Sequence, residues 1–253
     1  MITRAHITRR ADVEGIAAQD IERDYILAHA VSAIANDGTA DRLVFKGGTS
    51  LRLIHFDDFR YSADLDFSVL VGTRDEAIAL IGDAFRGRGD VIPQLTLAVG
   101  DQLRILYVGP LGRERSVKLD LAANELVVNT ERKPMRPIWD DVPAAEVAVY
   151  TLLEAASEKL RSLLQRSLCR DFYDLYILLC IERVDGQEAV ELFHRKARHL
   201  NLNPNAFGDR YDQRMSRYEA RWATELGNYM REVPPFNEVE MRVKQVLRQA
   251  NLL

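Results

Sequence analysis

Hydrophobic residues recur with two different periods in the first part of the chain and with one period in the rest. In the first part, short apolar runs typical of buried strands alternate with helical patterns. The predicted strands cover residues 43–45, 63–71, 94–109 and 115–123. Helices are expected at residues 20–36, 47–56 and 74–89, with glycines at the ends of the first and the last. This part is therefore predicted to mix strands and helices.

From Ala144 onward the apolar spacing is predominantly helical. Helical patterns cover residues 144–166, 170–184 and 187–201, and they continue in the tail from 205 to 253 with an interruption at Pro234-Pro235. Residues 124–143 look irregular and are expected to bridge two lobes. This order predicts an α+β (mixed α/β) fold, with a mixed lobe over residues 1–143 and a helical C-terminal lobe over residues 144–253.

The composition is that of an ordinary globular chain. Of its 253 residues, 47% are hydrophobic and 28% are charged, and the formal net charge is −4. Such a chain is not a basic nucleic-acid coat, so any contact with RNA or DNA must come from local patches. The two cysteines form no disulfide framework, the N-terminus lacks a signal-peptide core, and no stretch approaches the length of a membrane span. We expect a cytoplasmic protein with no membrane partner.

Two aspartates on one strand face are the first candidates for chemistry. Asp64 and Asp66 are two positions apart, which points both carboxylates the same way with Cα atoms roughly 6.5–7 Å apart. Burying two like charges together is costly unless a cation lies between them. Mg²⁺, or Mn²⁺ in its place, prefers such oxygen ligands, and Asp120 supplies a third carboxylate on another predicted strand. Lys118, on the same face as Asp120, leaves a purely structural ion pair as the alternative.

A glycine-rich turn precedes the aspartate strand. It consists of Lys46, Gly47, Gly48, Thr49 and Ser50. The backbone N–H groups of such a strand-to-helix turn bind phosphate oxygens, and Thr49 or Ser50 can donate a hydroxyl to the same group. The spacing is not that of the P-loop, since no Lys-Ser or Lys-Thr follows. A triphosphate cradle beside paired carboxylates predicts nucleotidyl transfer. Arg60 and Ser62 are further candidates for phosphate contacts, although Arg60 could equally be a surface residue.

These residues resemble a known family. The segment KGGTSLRLIHFDDFRYSADLDF, followed far downstream by EKLRSLLQRSLCRDFYDLYIL, is similar to the AbiEii/AbiGii toxin nucleotidyltransferases of the DNA polymerase β-like superfamily. The resemblance extends over roughly residues 20–200, and it implies a polymerase β-like catalytic lobe whose active site the helical lobe completes. It also implies a glycine–serine signature at Gly48 and Ser50, with Thr49 inserted, and metal ligands at Asp64, Asp66 and Asp120.

The second motif supplies a lysine and an acid. The resemblance places the family's lysine on Lys159 and its following aspartate on Asp174, with Asp171 as the competing position. Lys159 lies beside an apolar stripe, from which a point charge could reach the β- and γ-phosphates of an NTP. Asp174 lies in an apolar helix and needs a partner, so it could instead orient Lys159 or an arginine.

The resemblance also implies a biological setting. Members of this family are typically toxins of two-gene toxin–antitoxin or phage-defence systems, and a separately encoded antitoxin holds them in check. It implies transfer of NMP from an NTP to an acceptor, which for several members is the 3′ end of tRNA, so that translation is blocked. The alternatives are a small-molecule or protein hydroxyl as acceptor, and a binding module that has lost its chemistry. A wide basic surface from residues 131–137 and 195–199 would favour RNA, whereas an enclosed acidic pocket would favour an amine-bearing small molecule.

Overall fold

Two units make up the computed structural model, which describes residues 2–38, 41–86 and 94–253. The sheet unit comprises Met1–Asn124, Glu131–Val149 and Tyr229–Arg231. The helical unit comprises Glu125–Thr130, Tyr150–Asn228 and Glu232–Leu253. Each unit is assembled from segments that are distant in sequence, so the chain passes between the units more than once.

The sheet unit is built on a mixed sheet. Its strands are β1 (Leu43–Lys46), β2 (Asp64–Val69), β3 (Leu95–Ala98), β4 (Arg104–Val108), β5 (Glu114–Ala122), β6 (Thr130–Pro134) and β7 (Glu146–Tyr150). They lie in the order β3-β4-β5-β2-β1-β7-β6. β2 pairs antiparallel with β1 and parallel with β5, so the predicted aspartate strand is a central strand of the sheet. Strands predicted over residues 43–45, 63–71 and 115–123 are confirmed as β1, β2 and β5, whereas the run over 94–109 is divided into the two strands β3 and β4.

The helices of the sheet unit are α1 (Arg4–Glu14), α2 (Ala18–Asn36), α3 (Gly47–Ser50) and α4 (Arg74–Arg86). α3 continues into a π-helical turn over Leu51–His55. α2 is a core helix, and its buried charge Asp24 lies 2.5 Å from the Arg52 guanidinium and accepts a hydrogen bond from Trp139 at 3.1 Å. The glycines at which α4 was expected to end lie outside the described residues.

Strand β7 corrects the prediction of continuous helix over residues 144–166. Glu146–Tyr150 pairs parallel with β1 through Phe45 and Val149, and α5 begins only at Leu152. The run reads Glu-Val-Ala-Val-Tyr, and its apolar content alone does not separate a short buried strand from a helix. The β-branched Val147 and Val149 decide the outcome, since both are buried in the core and fit a pleated surface.

Strand β6 corrects the prediction that residues 124–143 are irregular. Thr130–Pro134 ends the sheet as an edge strand and reads Thr-Glu-Arg-Lys-Pro, with exposed and half-buried positions in alternation. An edge strand of this kind carries no apolar alternation, so the hydrophobic pattern gives no signal for it. A terminal proline is tolerated because an edge strand has a side that needs no ladder hydrogen bond.

The helical unit contains α5 (Leu152–Gln165), α6 (Cys169–Tyr176), α7 (Gly186–His199), α8 (Phe207–Leu226) and α9 (Phe236–Gln249). A π-helical turn at Ile177–Ile181 follows α6. Thr151 fixes the start of α5, because its side chain accepts a hydrogen bond from the backbone N–H of Glu154. The predicted α+β fold class is confirmed. Within the three described ranges, no helix combines the length and the apolar character that crossing a membrane requires.

Candidate active site

β2 carries two carboxylates on a face that it shares with both neighbouring strands. Asp66 is paired with Lys46 on β1 and with Asp120 on β5, and Asp64 is paired with Lys118 on β5. Paired positions on adjacent strands point to the same side of a sheet. These five residues, the acidic face, therefore lie side by side. The register brings Asp120 next to Asp66, where the sequence analysis expected a third carboxylate, while its chemical role stays a prediction.

Lys118 neutralises part of the acidic face. Its Nζ lies 2.8 Å from Oδ2 of Asp120, in a pair whose side chains are 41% and 53% exposed. The hydrogen bond to Asp120 raises the pKa of Lys118, partial burial lowers it, and the charges of Asp120, Asp64 and Asp66 raise it further, so that the net pKa is above its ordinary value. All three carboxylates act on one ammonium group, which shows that they share one electrostatic neighbourhood.

The two glycines after β1 let charged side chains lie against the backbone. Gly47 has a φ of +78°, and a Cβ at this position would collide with the carboxylate of Asp66. A Cβ on Gly48 would lie 2.5 Å from a guanidinium nitrogen of Arg60. The glycine pair therefore brings both Asp66 and Arg60 to the start of α3. Two motifs that are separate in the sequence, the glycine turn and the aspartate strand, meet here.

Replacing Gly47 with alanine should destabilise the protein by more than the backbone conformation explains. Gly47→Ala strains a left-handed residue, at about 1–2 kcal/mol, and also forces the Asp66 carboxylate to move. Gly38 has the same φ of +78°, and among the described residues no atom lies within 4 Å of a Cβ built there, so Gly38→Ala measures the backbone effect alone. We expect urea unfolding to show a loss for Gly47→Ala that exceeds the loss for Gly38→Ala by at least about 1 kcal/mol. Equal losses would contradict the packing of Asp66 against Gly47.

The hydroxyls of the glycine turn are engaged within the protein. Thr49 Oγ1 donates to the backbone carbonyl of Asp64, and Ser50 Oγ donates to the carbonyl of Gly47 at 2.8 Å. Both residues are only 1% exposed. The first hydrogen bond ties α3 to β2, and the second closes the first turn of the helix. In this arrangement the two hydroxyls position the turn, and their direct contact with a phosphate stays a prediction.

Arg60 and Ser62 precede β2 and are both buried, with exposed fractions of 3% and 8%. Arg60 donates to the carbonyl of Tyr61 at 3.0 Å, and its guanidinium lies 5.4 Å from the centre of the Phe59 ring. The alternative that Arg60 is a surface residue is therefore wrong. Its position against Gly48 is compatible with a phosphate contact at the start of α3, which stays a prediction, as does a contact of Ser62.

The acidic face has the donor chemistry of a divalent-cation site. Carboxylate oxygens are the ligands that Mg²⁺ and Mn²⁺ prefer. Among the residues that the structure describes, no group of three or more His, Cys, Asp or Glu side chains is arranged to hold a metal ion. Asp64 and Asp66 fit a shared cation because they lie on one strand face. Asp120 would first have to exchange its bond to Lys118 for one to the cation.

In the helical unit, Lys159 forms a buried ion cluster. Its Nζ lies 2.6 Å from Oδ2 of Asp174 and 2.8 Å from Oδ1 of Asp171. Lys159, Asp174 and Asp171 are 6%, 0% and 1% exposed. The two aspartates are three positions apart on α6 and so share a helix face, from which both reach the lysine on α5. Asp171 is thus as close a partner of Lys159 as the preferred Asp174, and their roles in chemistry stay predictions.

Arg166 extends the cluster through Asp171. Its Nε lies 2.7 Å from Oδ2 of Asp171. Burial by itself would raise the pKa of Asp171, but the charges and hydrogen bonds of Lys159 and Arg166 outweigh burial and hold the pKa well below its usual range. Sequence reasoning did not select Arg166 as a site residue. The available signal was its place just before Asp171 within the second motif.

Several cations that were expected to form a basic surface are paired with acids. In residues 131–137 the pairs are Arg132–Asp41 at 2.9 Å, Lys133–Glu131 at 3.0 Å and Arg136–Asp57 at 2.7 Å. In residues 195–199 of the helical unit, Lys196 is 3% exposed and lies 2.5 Å from the buried Glu154. Acids neutralise these four cations, so residues 131–137 add little free positive charge, whereas Arg195 and Arg198 of the second segment are exposed.

Comparison with solved structures defines the class of protein. The structure is similar to MenT4, a nucleotidyltransferase toxin from Mycobacterium tuberculosis H37Rv, with a TM-score of 0.76 and 25% sequence identity over 100% of this chain and 91% of that chain. An antigenic nucleotidyltransferase-like protein from Paracoccidioides brasiliensis matches with a TM-score of 0.43 and 12% identity, over 68% of this chain and 87% of that chain. A comparison with curated proteins gave no match. The similarity to MenT4 shows that the fold is that of a nucleotidyltransferase toxin.

The family follows from the sequence itself. The model of the nucleotidyl transferase AbiEii toxin family, of type IV toxin–antitoxin systems, matches residues 29–248. This chain therefore belongs to the AbiEii toxin family, and the resemblance seen in its two motifs is confirmed. Membership makes it a nucleotidyltransferase toxin, and it implies NTP as a substrate and an antitoxin as a partner.

Proposed function

We propose that this toxin transfers NMP from an NTP to the 3′ end of tRNA in a Mg²⁺-dependent reaction, and so blocks translation. The observation that carries the proposal is the register of β2 with its two neighbours. It sets Asp64, Asp66 and Asp120 on one face, directly beside the glycine turn that packs against Asp66. Carboxylates next to a phosphate-binding turn are what transfer of a charged phosphoryl group needs.

The three carboxylates of the acidic face and the two glycines of the turn each have a role in this reaction. Asp64 and Asp66 would hold the divalent cation, which when bound polarises the triphosphate and offsets its charge. The backbone N–H groups at Gly47 and Gly48 would bind phosphate oxygens, with Arg60 as a charged donor beside them. Asp120 would accept the proton of the acceptor hydroxyl as that oxygen bonds to the α-phosphorus. The bond from the α-phosphorus to the bridging oxygen then breaks, and pyrophosphate leaves.

Lys159 has a separate role in the proposal. It would neutralise charge on the departing pyrophosphate, and Asp174 and Asp171 would hold its ammonium group in place. The bonds of 2.6 Å and 2.8 Å to the two aspartates support the positioning part of this role. The phosphate part and the choice of tRNA as acceptor are supported by membership of the AbiEii family. The antitoxin is proposed to be a separately encoded protein.

A transfer assay tests the proposal. The purified protein is incubated with total tRNA and each labelled NTP in Mg²⁺, in Mn²⁺ and with EDTA. We expect label on tRNA from at least one NTP, 3′ ends longer than those of the starting tRNA, and no labelling with EDTA or with periodate-oxidised tRNA. Label on a small molecule or on protein, with none on tRNA, would mean that this molecule and not tRNA is the acceptor. No transfer to any acceptor would instead support a binding module of the same fold.

A further inference from the structure

A cavity lined by arginines lies in the sheet unit. Its volume is about 340 Å³, and it is bordered by Arg4 on α1, the start of α2, Arg113 in the turn after β4 and Arg115 on β5. No acidic side chain of the described residues lines it. The cavity therefore concentrates positive charge in a protein whose formal net charge is −4. It is called the arginine cavity below.

Two of the three arginines are open to a ligand. Arg4 and Arg113 are exposed, and within the described ranges neither forms an ion pair or a side-chain hydrogen bond. Arg115 differs, because its Nη1 donates to Gln19 at 3.1 Å and its Nε lies 3.5 Å from Oε2 of Glu22. Arg115 is thus fixed as part of the wall, whereas Arg4 and Arg113 carry charge that the protein leaves without an acid.

The wall that carries Arg113 is held firmly to α2. Glu22 is fully buried and accepts a hydrogen bond from the backbone N–H of Leu111 at 2.6 Å. Gly109 makes this approach possible, since a Cβ there would lie 2.6 Å from the Glu22 carboxylate. The N–H of Gly112 closes the turn on the carbonyl of Gly109 at 2.9 Å. The backbone of the turn before Arg113 is therefore held in place, which lowers the ordering cost of binding there.

The donors in the cavity suit a phosphate group. Ala17–Gln19 line it at the start of α2, where the N-cap makes no side-chain hydrogen bond and the N–H groups of Ala18 and Gln19 have no acceptor within the helix. Arginine forks and such N–H groups are the usual donors to phosphate oxygens. No aromatic side chain of the described residues lines the cavity, so it offers no platform for stacking a base. The lining of the cavity therefore suits phosphate charge and not base identity.

The position of the cavity excludes the reacting triphosphate as its occupant. Arg115 and Asp120 both lie on β5, and the step from position 115 to position 120 spans roughly 16 Å along the strand. An odd step also places the two side chains on opposite faces of the sheet. A single nucleotide bound at the acidic face is therefore too short to contact the cavity, whereas a polynucleotide is long enough to contact both places.

We propose that the arginine cavity binds a backbone phosphate of the RNA acceptor. This inference rests on the proposed function, because it takes RNA as the acceptor, and it adds where the RNA is held. The contact is independent of base sequence and is electrostatic, so it fixes the position of the RNA on the sheet unit without taking part in the chemistry.

Binding of labelled tRNA without NTP tests the cavity proposal. Arg4→Ala and Arg113→Ala are compared with Arg9→Ala, which removes an exposed arginine of the same helix α1 that does not line the cavity. We expect each cavity variant to weaken tRNA binding about fivefold to tenfold and to reduce the salt slope by about 0.7–0.9. Arg9→Ala should change affinity less than about twofold. Cavity variants that match Arg9→Ala in affinity and slope would overturn the proposal.

Two further measurements distinguish RNA from a small phosphate ligand as the occupant, and failure of the cavity proposal from failure of the proposed function. In the first of these, calorimetry measures the binding of inorganic phosphate to the wild type and to the double variant Arg4→Ala/Arg113→Ala. If the double variant loses phosphate binding but keeps tRNA binding, the occupant is a small ligand and the RNA proposal fails. If tRNA binding depends on both arginines but no NMP is transferred to tRNA, the cavity proposal stands and the proposed activity fails. If the double variant transfers NMP to tRNA with an unchanged KM for tRNA, the proposed activity stands and the cavity proposal fails.

Discussion

Asp66→Asn should abolish NMP transfer while leaving the protein folded. Asp66 lies between Lys46 and Asp120 in the sheet and packs against Gly47, so its carboxylate contacts both the acidic face and the glycine turn. Asparagine has the same shape and keeps the packing, but it removes the charge that a divalent cation needs. We expect turnover to fall at least about a hundredfold, which is about 2.7 kcal/mol of barrier.

Asp101→Asn is the matched control for this variant. Asp101 is an exposed acid of the same unit with no contact to the acidic face, and its replacement makes the same change in net charge. The two variants should have similar urea midpoints, and Asp101→Asn should turn over like wild type. Retention of more than about a tenth of wild-type turnover by Asp66→Asn, which is about 1.4 kcal/mol of barrier, would contradict the metal-ligand assignment.

The same variant separates two mechanisms of toxicity. Induced expression of the wild-type protein should arrest growth, and tRNA 3′ ends should lengthen at the same time. Asp66→Asn at a matched level should be harmless if toxicity requires catalysis. A protein that acts by sequestering RNA would remain toxic, because binding through the arginine cavity needs no metal. If the wild-type protein arrests growth while tRNA 3′ ends stay unaltered, tRNA is not the acceptor, and a catalytic toxin would have to act on a different acceptor.

The local parts of the site could be predicted from the sequence, whereas the arrangement across strands could not. The alternation around Asp64 and Asp66 identifies β2 because strand periodicity is a local property. No local signal says that β5 rather than β3 or β4 lies beside β2 and brings Asp120 to Asp66. Parallel pairing joins distant segments, and the sequence pattern only indicates that each segment is a strand.

Charges show the same limit. A wide basic surface that included residues 131–137 would favour RNA, but Arg132 and Arg136 pair with Asp41 and Asp57, which are remote in sequence. The sequence gives no signal for the arginine cavity, because its cations come from three separate elements that only the fold brings together. Whether a cation is neutralised depends on the fold, so a run of like charges in a sequence is weak evidence for a binding surface.

Lys159→Met should destabilise the helical unit by about 3–5 kcal/mol, because it leaves two carboxylates buried without their shared cation. Lys118→Met removes a lysine from a bond of the same length, 2.8 Å, but from a pair that is 41% and 53% exposed. That control should change stability by no more than about 1 kcal/mol. Urea unfolding of both variants measures the difference. A loss below about 1 kcal/mol for Lys159→Met would mean that the cluster is not a stabilising element.

The double variant Lys159→Met/Asp174→Asn then separates the structural role of Lys159 from its role in chemistry. Asp174→Asn removes the charge of the buried carboxylate that loses Lys159, and Arg166 still pairs with Asp171, so the double variant should regain part of the stability that Lys159→Met loses. If Lys159 neutralises the departing pyrophosphate, transfer stays depressed even where the double variant is fully folded, while tRNA affinity is unchanged. Recovery of transfer together with stability would make Lys159 a purely structural residue. A loss of tRNA affinity alone would assign Lys159 to the surface that binds the acceptor tRNA.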